Sequence, residues 1–315
     1  MVALPGRPRP GPAFFFLLPA LALILVFYVV PLILSVYIGF TPLRDWNLQR
    51  LGELSLDNYR RLYHLVLHDP DLRKVVQTTI VFTSVTLAVN VLGGLVLALA
   101  MFFMDEWLSL PYRLLWLLPR MTPVAVYSLL WYYFFLPGRE GILNSWLMSL
   151  GLIDEPRAWG KDPELLPYSA WAILVLVNGF VGVSFGMIVF YSALKSIPRE
   201  QVIAARIDGA STLQLARHVL IPQIRWHIVY VTVWQLLSLL TTFAHIFLLV
   251  EWGTLDRAWG SNWALYVFNT AFLTQDQGFA AAAATVLVAV GVVLGLLALR
   301  LMRFREMMVE PKGEL

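Results

Sequence analysis

Few residues in this chain could carry out covalent chemistry. Ser184 lies in a G-x-S-x-G pattern that runs from Gly182 to Gly186. Such a pattern is typical of a serine nucleophile on a sharp strand-to-helix turn, and His245 could act as its base. The pattern falls inside a long apolar segment, however, where Gly179, Gly182 and Gly186 share one helix face and allow close helix packing. Helix packing is therefore the favoured interpretation, and an intramembrane serine hydrolase is the alternative.

The sequence lacks the residues that several other kinds of site require. It contains no cysteine, which excludes disulfide bonds, thiolate catalysis and cysteine metal sites. An ATPase phosphate loop has the pattern G-x-x-x-x-G-K-[ST], but only Lys161 of the four lysines follows a glycine, and Asp162 comes next. The small, dispersed net charge of +3 argues against nucleic acid. We expect no metal and no cofactor bound by this chain. The histidines without metal-ligand spacing are His64, His68, His218 and His227.

The composition is that of a membrane protein. Apolar residues make up 59% of the chain and charged residues 14%, whereas soluble domains have about 45–50% and about 25%. The apolar residues form six blocks, each long enough to cross a hydrocarbon core of about 30 Å as a helix. The blocks are 13–40, 75–104, 114–136, 167–194, 226–250 and 279–302. The sequence therefore predicts an all-α polytopic fold with about six transmembrane helices.

The domain organisation and topology follow from these blocks. The first block is longer than the apolar core of a signal peptide, so we expect it to be retained as a span. A transmembrane domain over 13–302 then has short tails at 1–12 and 303–315. Basic residues divide almost evenly between the two sides, but they crowd the ends of the fourth, fifth and sixth blocks on one side. The positive-inside rule places that side, with both termini, in the cytoplasm.

The segment 195–225 is the one long loop that this topology places inside the cell. Pro198 suits the first turn of a helix over 201–207, and Gly209 suits the position just after its end, where φ is commonly positive. A second short helix is predicted after this turn. Ser211 or Thr212 can cap its beginning, and Pro222 limits its extent. The loop is therefore predicted to be a helix, a glycine turn and a second helix at the membrane surface.

At these residues the loop closely resembles the coupling loop, usually called the EAA loop, of binding-protein-dependent ABC importer permeases. Further matches in the first span, after the third and before the sixth extend the resemblance over nearly the whole chain. Ile203 stands where the motif has its glutamate, so any salt bridge made by that residue in relatives is absent here. The matching loop residues are Glu200, Ala204, Ala205, Asp208, Gly209, Ala210, Gln214 and Pro222.

The resemblance implies an importer subunit, most similar to permeases for oligosaccharides, other sugars and glycerol phosphate esters. A second homologous permease would complete the pore as a heterodimer. Two ATP-binding-cassette ATPase subunits would bind ATP and Mg, and an extracytoplasmic solute-binding protein would deliver a sugar-like substrate. The location implied is the prokaryotic inner membrane, with both termini cytoplasmic. An ion-coupled carrier or channel is a further alternative, although no coupling carboxylate lies inside any predicted span.

Polar residues within the predicted spans are candidates for the substrate path. Four residues of the fifth span are spaced by three or four positions and so share a helix face. This face could hydrogen-bond a polyhydroxylated sugar, or it could hold neighbouring helices together. Asn178 is ambiguous in the same way, and packing is favoured for a similar stripe on the second span. The fifth-span residues are Gln235, Ser238, Thr242 and His245, and the second-span residues are Thr79, Thr83, Thr86 and Asn90.

Arg120 is a basic residue within the third predicted span, between Pro119 and Pro123. A charge in the hydrocarbon core is costly unless it is paired, hydrated or extended to the interface. Extension to the inner interface is the favoured interpretation, and a gate or substrate contact is the alternative. The two prolines could break this helix, and broken helices occur at transport sites.

We expect the purified chain alone to show no ATPase activity, because it has no segment that can cradle nucleotide phosphates. Phosphate release should be measured before and after a second purification that removes contaminating ATPases. If the rate of ATP hydrolysis per mole of chain is the same after the second purification, the assignment of ATP hydrolysis to a partner subunit is contradicted.

Overall fold

The computed structural model describes residues 12–302, with side chains from residue 15 onward. The predicted tails, 1–12 and 303–315, lie outside the described residues apart from Pro12. Within residues 12–302 the chain is helical, and the only β pairing there is a single bridge between Gly160 and Leu255. The described chain divides into two compact units, one of residues 12–65 with 267–286 and one of residues 66–266 with 287–302.

The helices are numbered in chain order, and a π-helical turn, Leu25–Val29, joins the first two. The helices of the apolar blocks are α1 (Pro12–Ile24), α2 (Val30–Gly39), α4 (Pro70–Phe103), α5 (Glu106–Met121), α6 (Val124–Phe134), α8 (Tyr168–Lys195), α12 (Arg225–Thr241), α13 (Ala244–Glu251) and α15 (Gln277–Leu301). The helices of the loops are α3 (Asp57–His68), α7 (Ile142–Ser149), α9 (Arg199–Ile207), α10 (Thr212–Leu215), α11 (Ile221–Gln223) and α14 (Trp263–Phe272).

These helices confirm the predicted all-α membrane fold. Five stretches of the described chain are long and apolar enough to cross a bilayer, and α5 with α6 makes a sixth if the two are counted as one bent span. The five are Phe15–Gly39, Pro70–Phe103, Tyr168–Lys195, Arg225–Glu251 and Gln277–Leu301. Each corresponds to one predicted block.

The third apolar block is broken between α5 and α6, whose axes form an angle of 97°. Helix α5 ends at Met121, and Thr122 and Pro123 both have extended backbone conformations. Proline has no N–H to donate and disfavours a helical conformation in the preceding residue, so the helix cannot continue through this point. The break therefore results from Pro123, whereas Pro119 lies within α5.

The fifth span is also broken, and the sequence analysis did not predict this. Helix α12 ends at Thr241, and Thr242 is extended before α13 begins at Ala244. The Asn262 amide donates a hydrogen bond of 2.7 Å to the Thr242 carbonyl, which satisfies a backbone group that the break leaves free. The prediction of one continuous face from Gln235 to His245 is therefore wrong, because Gln235 lies on α12, Thr242 in the break and His245 on α13.

The tightest helix contact in the second unit is between α4 and α8. A Cβ atom on Gly94 of α4 would lie 2.9 Å from the Gly186 Cα atom and from the Met187 nitrogen of α8. A Cβ atom on Gly182 would collide with the Asn90 amide. The backbones can approach this closely only where side chains are absent. This geometry confirms the predicted packing role of the glycine face on α8.

A buried apolar cluster joins these two helices to the loop that follows α8. Leu215, Leu220 and Ile224 are buried against residues of α4 and α8. The other fully buried members include Ala98, Met187, Phe190 and Leu194. The loop between α8 and α12 is therefore part of the folded core at its base.

The first unit is held together by polar contacts around α3. The Asn58 amide donates to the carbonyl oxygens of Gly39 and Thr41 at 3.1 and 2.8 Å. Arg61 forms an ion pair of 2.7 Å with Asp276, and its guanidinium lies 4.3 Å from the centre of the Phe279 ring. These contacts fix α3 against the end of α2 and the beginning of α15.

We expect Gly94→Ala to destabilise the protein more than Gly93→Ala. The added methyl group at Gly94 meets α8 backbone, whereas at Gly93 it meets only the Val183 side chain, at 3.1 Å, which can shift. Overpacking of this kind costs about 1–3 kcal/mol. The measurement is the thermal unfolding midpoint of each detergent-solubilised variant. Equal midpoints would show that the α4–α8 approach is not limited by backbone contact.

Candidate functional site

The helix α9 of the surface loop begins at Arg199, two residues earlier than predicted. Pro198 is extended, with φ −56° and ψ 131°, and precedes the first turn as its cap, so its predicted place within that turn is wrong. The helix ends at Ile207 as predicted. Glu200 lies in its first turn, where a carboxylate interacts favourably with the helix dipole.

Gly209 ends α9 in the conformation predicted from its position. Its φ is +82°, in the left-handed region that glycine adopts at little cost. The N–H groups of Gly209 and Ala210 donate to the carbonyls of Arg206 and Ala205, both at 3.0 Å. This pair of hydrogen bonds is the Schellman motif, which satisfies carbonyls at a helix end. A Cβ atom on Gly209 would meet no atom within 4 Å, so its backbone conformation is what demands glycine.

The second loop helix is fixed by a capping box. The Ser211 hydroxyl accepts a hydrogen bond from the Gln214 N–H at 3.3 Å, and the Gln214 amide oxygen accepts one from the Ser211 N–H at 2.8 Å. The predicted limit at Pro222 is wrong, because a π turn, Ala216–Leu220, follows α10 and Pro222 lies at the start of α11. The interruption before α12 falls instead at Ile224.

The two faces of the loop differ in exposure. Val202 and Ala205 of α9 pack against the buried apolar cluster, and the Gln223 amide donates to Gln201 at 2.7 Å, which ties α11 to α9. On the outer face, Glu200, Ala204 and Asp208 are exposed. Three large apolar side chains are also exposed there, Ile203 at 54%, Ile207 at 80% and Leu213 at 77%. The loop thus presents an apolar surface on an anchored base.

An ion cluster holds the end of α8 from which this loop departs. The Glu106 carboxylate, at the start of α5, accepts hydrogen bonds of 3.0 Å from both the Tyr191 hydroxyl and the Lys195 ammonium. It also pairs with Arg113, whose guanidinium lies 4.2 Å from the centre of the Tyr191 ring. This cluster could not be predicted from the sequence, because nothing in the spacing shows that α5 begins beside the end of α8.

Asn90, Asn178 and Gln235 meet inside the helix bundle. The Asn90 amide donates to the side-chain oxygens of Asn178 and Gln235, both at 3.3 Å. The Gln235 amide donates to the Gly182 carbonyl at 2.9 Å. Asn90 and Gln235 are buried and join three helices, α4, α8 and α12. This arrangement supports the packing interpretation for Gln235 and for Asn90 of the second-span stripe.

The other residues of the fifth-span stripe have different surroundings. Ser238 is exposed, and the half-buried Thr242 donates its hydroxyl to the Ser238 carbonyl at 2.8 Å. His245 is buried between Phe82 and Tyr127, with ring centres 6.4 and 6.1 Å away. Ser238 and Thr242 are thus accessible, whereas His245 is enclosed in this conformation.

Arg120 lies near the end of α5, where its guanidinium is 4.9 Å from the centre of the Phe185 ring of α8. Among the ion pairs formed by residues 15–302, none includes Arg120. One turn earlier, Trp116 lines a groove of about 700 Å³ between α4, α6 and α8. Trp131, Trp171 and Phe180 also line this groove.

Ser184 lies in the middle of α8, not at a strand-to-helix turn. It is buried, and its hydroxyl donates to the Val181 carbonyl one turn earlier at 2.7 Å. A nucleophile elbow is therefore not formed. Within residues 12–302, no group of three or more histidine, aspartate or glutamate residues is arranged to hold a metal ion.

Comparison with known proteins identifies the family. The profile of the "Binding-protein-dependent transport system inner membrane component" family matches residues 90–306. This chain belongs to that family. A probable ABC transporter permease of Pyrococcus horikoshii is 29% identical over 281 residues, covering 89% of this chain and 91% of its own. The lactose transport system permease of Rhizobium radiobacter is 27% identical over 284 residues, covering 90% and 91%.

The same fold occurs in a solved bacterial alginate ABC transporter in complex with its alginate pentasaccharide-bound periplasmic protein. The TM-score to one chain of that structure is 0.77 at 20% identity, covering 95% of this chain and 96% of the other. The chain is thus an ABC importer permease, and these comparisons support neither a hydrolase nor an ion-coupled carrier or channel.

In this permease we expect Gln235→Leu to lower thermal stability, while Ser238→Ala has little effect. The first change removes hydrogen bonds to both α4 and α8, each worth about 0.6–2 kcal/mol in a membrane bundle. The second removes an exposed hydroxyl on the same helix. Unfolding midpoints in detergent compare the two, and a Gln235→Leu variant as stable as the wild type would show that the amide cluster does not hold these helices together.

Proposed function

We propose that this permease forms one half of the translocation pore for a sugar or related polyhydroxylated solute in an ATP-driven importer. A second, homologous permease completes the pore as a heterodimer. The observation that supports the proposal most strongly is the loop from α9 to α11. It has a rigid turn, a buried base and an exposed apolar outer face.

The outer face of this loop is the proposed docking surface for the ATPase subunit. Exposed apolar side chains beyond the ends of the spans are typical of a protein interface. Ile203, Ile207 and Leu213 provide such side chains, and Ala204 leaves room for close approach. Because Ile203 replaces the glutamate of the family motif, this contact is apolar at a position where relatives have a charge.

The buried base of the loop supports a mechanism for coupling. Leu215 and Leu220 are packed among residues of α4 and α8, so a displacement of α9 is transmitted to these helices. The Glu106 cluster fixes the end of α8 from which the loop departs. Nucleotide-driven closure of the ATPase subunits would move the loop, and the breaks after Met121 and Thr241 would let helix segments change angle.

The proposed orientation places this loop and both termini in the cytoplasm. Lys195 and Arg225 lie at the loop ends of α8 and α12, and Arg199 begins α9 within the loop, which agrees with the positive-inside rule. The opposite side then faces an extracytoplasmic solute-binding protein, a partner that the solved alginate transporter also has. Two ATPase subunits supply ATP and Mg from the cytoplasm.

The accessible polar residues of the second unit are the proposed substrate contacts. Arg120 and Ser238 are exposed, and Asn178 and Thr242 are partly so, whereas Gln235 and His245 act as packing residues in this conformation. A sugar as substrate is supported by the lactose transport permease among the relatives. The binding protein, rather than these few contacts, would set most of the selectivity.

The coupling role of the loop predicts a graded effect of substitutions at Gly209. Valine disfavours a positive φ, so Gly209→Val should distort the turn and reduce substrate-stimulated ATP hydrolysis or association with the ATPase. Asparagine tolerates this conformation, and Gly209→Asn should retain most activity. Left-handed backbone costs an ordinary residue about 1–2 kcal/mol, too little to unfold the six spans.

Membrane level, co-purification of the ATPase and ATP hydrolysis in reconstituted vesicles are measured for each variant. Gly52→Val is the matched control, because that glycine also has no atom within 4 Å of its Cβ position but does not have a positive φ. If the Gly209→Val variant transports normally and associates normally with the ATPase, this loop is not the coupling element.

A further inference from the structure

The contact of Arg120 with α8 places it inside the predicted span, well away from the loop end of that helix. Its guanidinium is next to Phe185, which is ten residues before Lys195 at the end of α8. Ten helical residues span about 15 Å, which is half of a hydrocarbon core about 30 Å thick. We take the ion pair between Lys195 and Glu106 as the position of the membrane–water interface, because both charged residues are exposed and such charges are costly in the hydrocarbon core. This placement, which we infer from the length of α8, differs from the extension to the inner interface that the sequence favours.

No acidic residue of the described chain neutralises Arg120. Helix α5 also contains Arg113, but that residue and Lys195 of α8 share the Glu106 carboxylate. Arg120 forms no ion pair within residues 15–302, and none of the six apolar blocks contains an aspartate or glutamate at this depth. A charge at mid-depth normally faces a water-filled path or pairs with another charge.

The surroundings of Arg120 are suited to a solute that combines apolar and charged surfaces. Arg120 is an exposed residue, and its guanidinium lies 4.9 Å from the centre of the Phe185 ring. Trp116, one turn before Arg120 on α5, lines the groove between α4, α6 and α8 together with Trp131, so the groove begins one helical turn from the guanidinium. Aromatic rings offer flat apolar faces, and a guanidinium binds carboxylate or phosphate through two parallel hydrogen bonds.

We propose that Arg120 binds an anionic group, a carboxylate or a phosphate, on the solute that this permease transports. The substrate class is then an acidic polyhydroxylated solute, such as a uronic acid oligosaccharide or a phosphate ester, rather than a neutral sugar. The inference rests on the proposed function, since it names the substrate class of the same path. It explains why an unpaired arginine is retained at mid-depth beside aromatic residues.

Uptake by the complete importer in vesicles tests the substrate class. The probes are trigalacturonate and glycerol 3-phosphate as anions and maltotriose as a neutral sugar. Arg120→Gln should lower uptake of the transported anion about 10- to 100-fold, the range expected for losing hydrogen bonds between charged groups. Arg120→Lys, which keeps the charge but loses the paired geometry, should be intermediate. Arg73→Gln, at an exposed arginine of the first turn of α4, is the matched control.

A second measurement tests whether position 120 faces the path, whatever the effect on folding. The chain has no cysteine, so Arg120→Cys introduces a unique thiol without further changes. It should react with a hydrophilic thiosulfonate reagent in the assembled importer, and the transported anion should slow the reaction. Leu118→Cys, at an exposed residue on another face of α5, should react slowly and without such protection.

The possible outcomes separate this inference from the proposed function. A wild-type importer that takes up maltotriose but neither anion keeps the proposed function and overturns the inference. Arg120→Gln could instead lower the uptake of anionic and neutral solutes equally, or release the second permease from the complex. Either result would assign to Arg120 an ion pair with that subunit and would overturn the inference. An unreactive Arg120→Cys in the active complex would also overturn it. Absence of all solute-dependent ATP hydrolysis in the wild type would instead count against the proposed function.

Discussion

The direct backbone contact between α4 and α8 is the interaction on which the second unit depends. Lipid tails are as apolar as apolar side chains, so moving such a side chain from lipid into a helix interface gains little free energy. Helices in a membrane therefore associate through van der Waals contact between small residues and through hydrogen bonds. Gly94, Gly182 and Gly186 allow the two backbones to touch. Asn90 is thereby brought within reach of α8 and α12, and its amide joins all three helices. The same helix pair forms the base against which Leu215 of the surface loop is buried.

The two interrupted spans have different physical origins. Pro123 breaks the third span through its own covalent structure, because it lacks an N–H and restricts Thr122. The break after Thr241 needs a partner, since the Asn262 amide satisfies the carbonyl that the interruption exposes. Both breaks lie in the unit that also contains the surface loop. An importer that alternates between two states needs such points, at which helix segments can change angle while the backbone stays satisfied.

The proposed coupling and selectivity residues use different chemistry. The surface loop offers apolar contact at Ile203 and Ile207 on a base held by buried side chains and by the Glu106 cluster. Arg120 has no ion-pair partner within residues 15–302, and at the depth that we propose for it the cost of a charge is large unless water or an anion surrounds it. In the proposed mechanism, force transmission depends on rigid packing, whereas substrate binding depends on a charged group that remains available. Helix α5 contributes to both, through Glu106 and Arg120.

The sequence by itself determined the features that are local or that lipid imposes. Long apolar blocks must be helices, and the Gly209 turn follows from its own backbone chemistry. The sequence also narrowed the break in the third span to Pro119 or Pro123 and the loop cap to Ser211 or Thr212, and the structure selected Pro123 and Ser211. Only the tertiary structure decided which helix faces are enclosed. Gln235 and Ser238 occupy similar positions in a helical pattern, yet one is buried by α4 and α8 and the other is exposed. The break after Thr241 and the Glu106 cluster were likewise beyond sequence reasoning, because each is stabilised by a side chain distant in the chain.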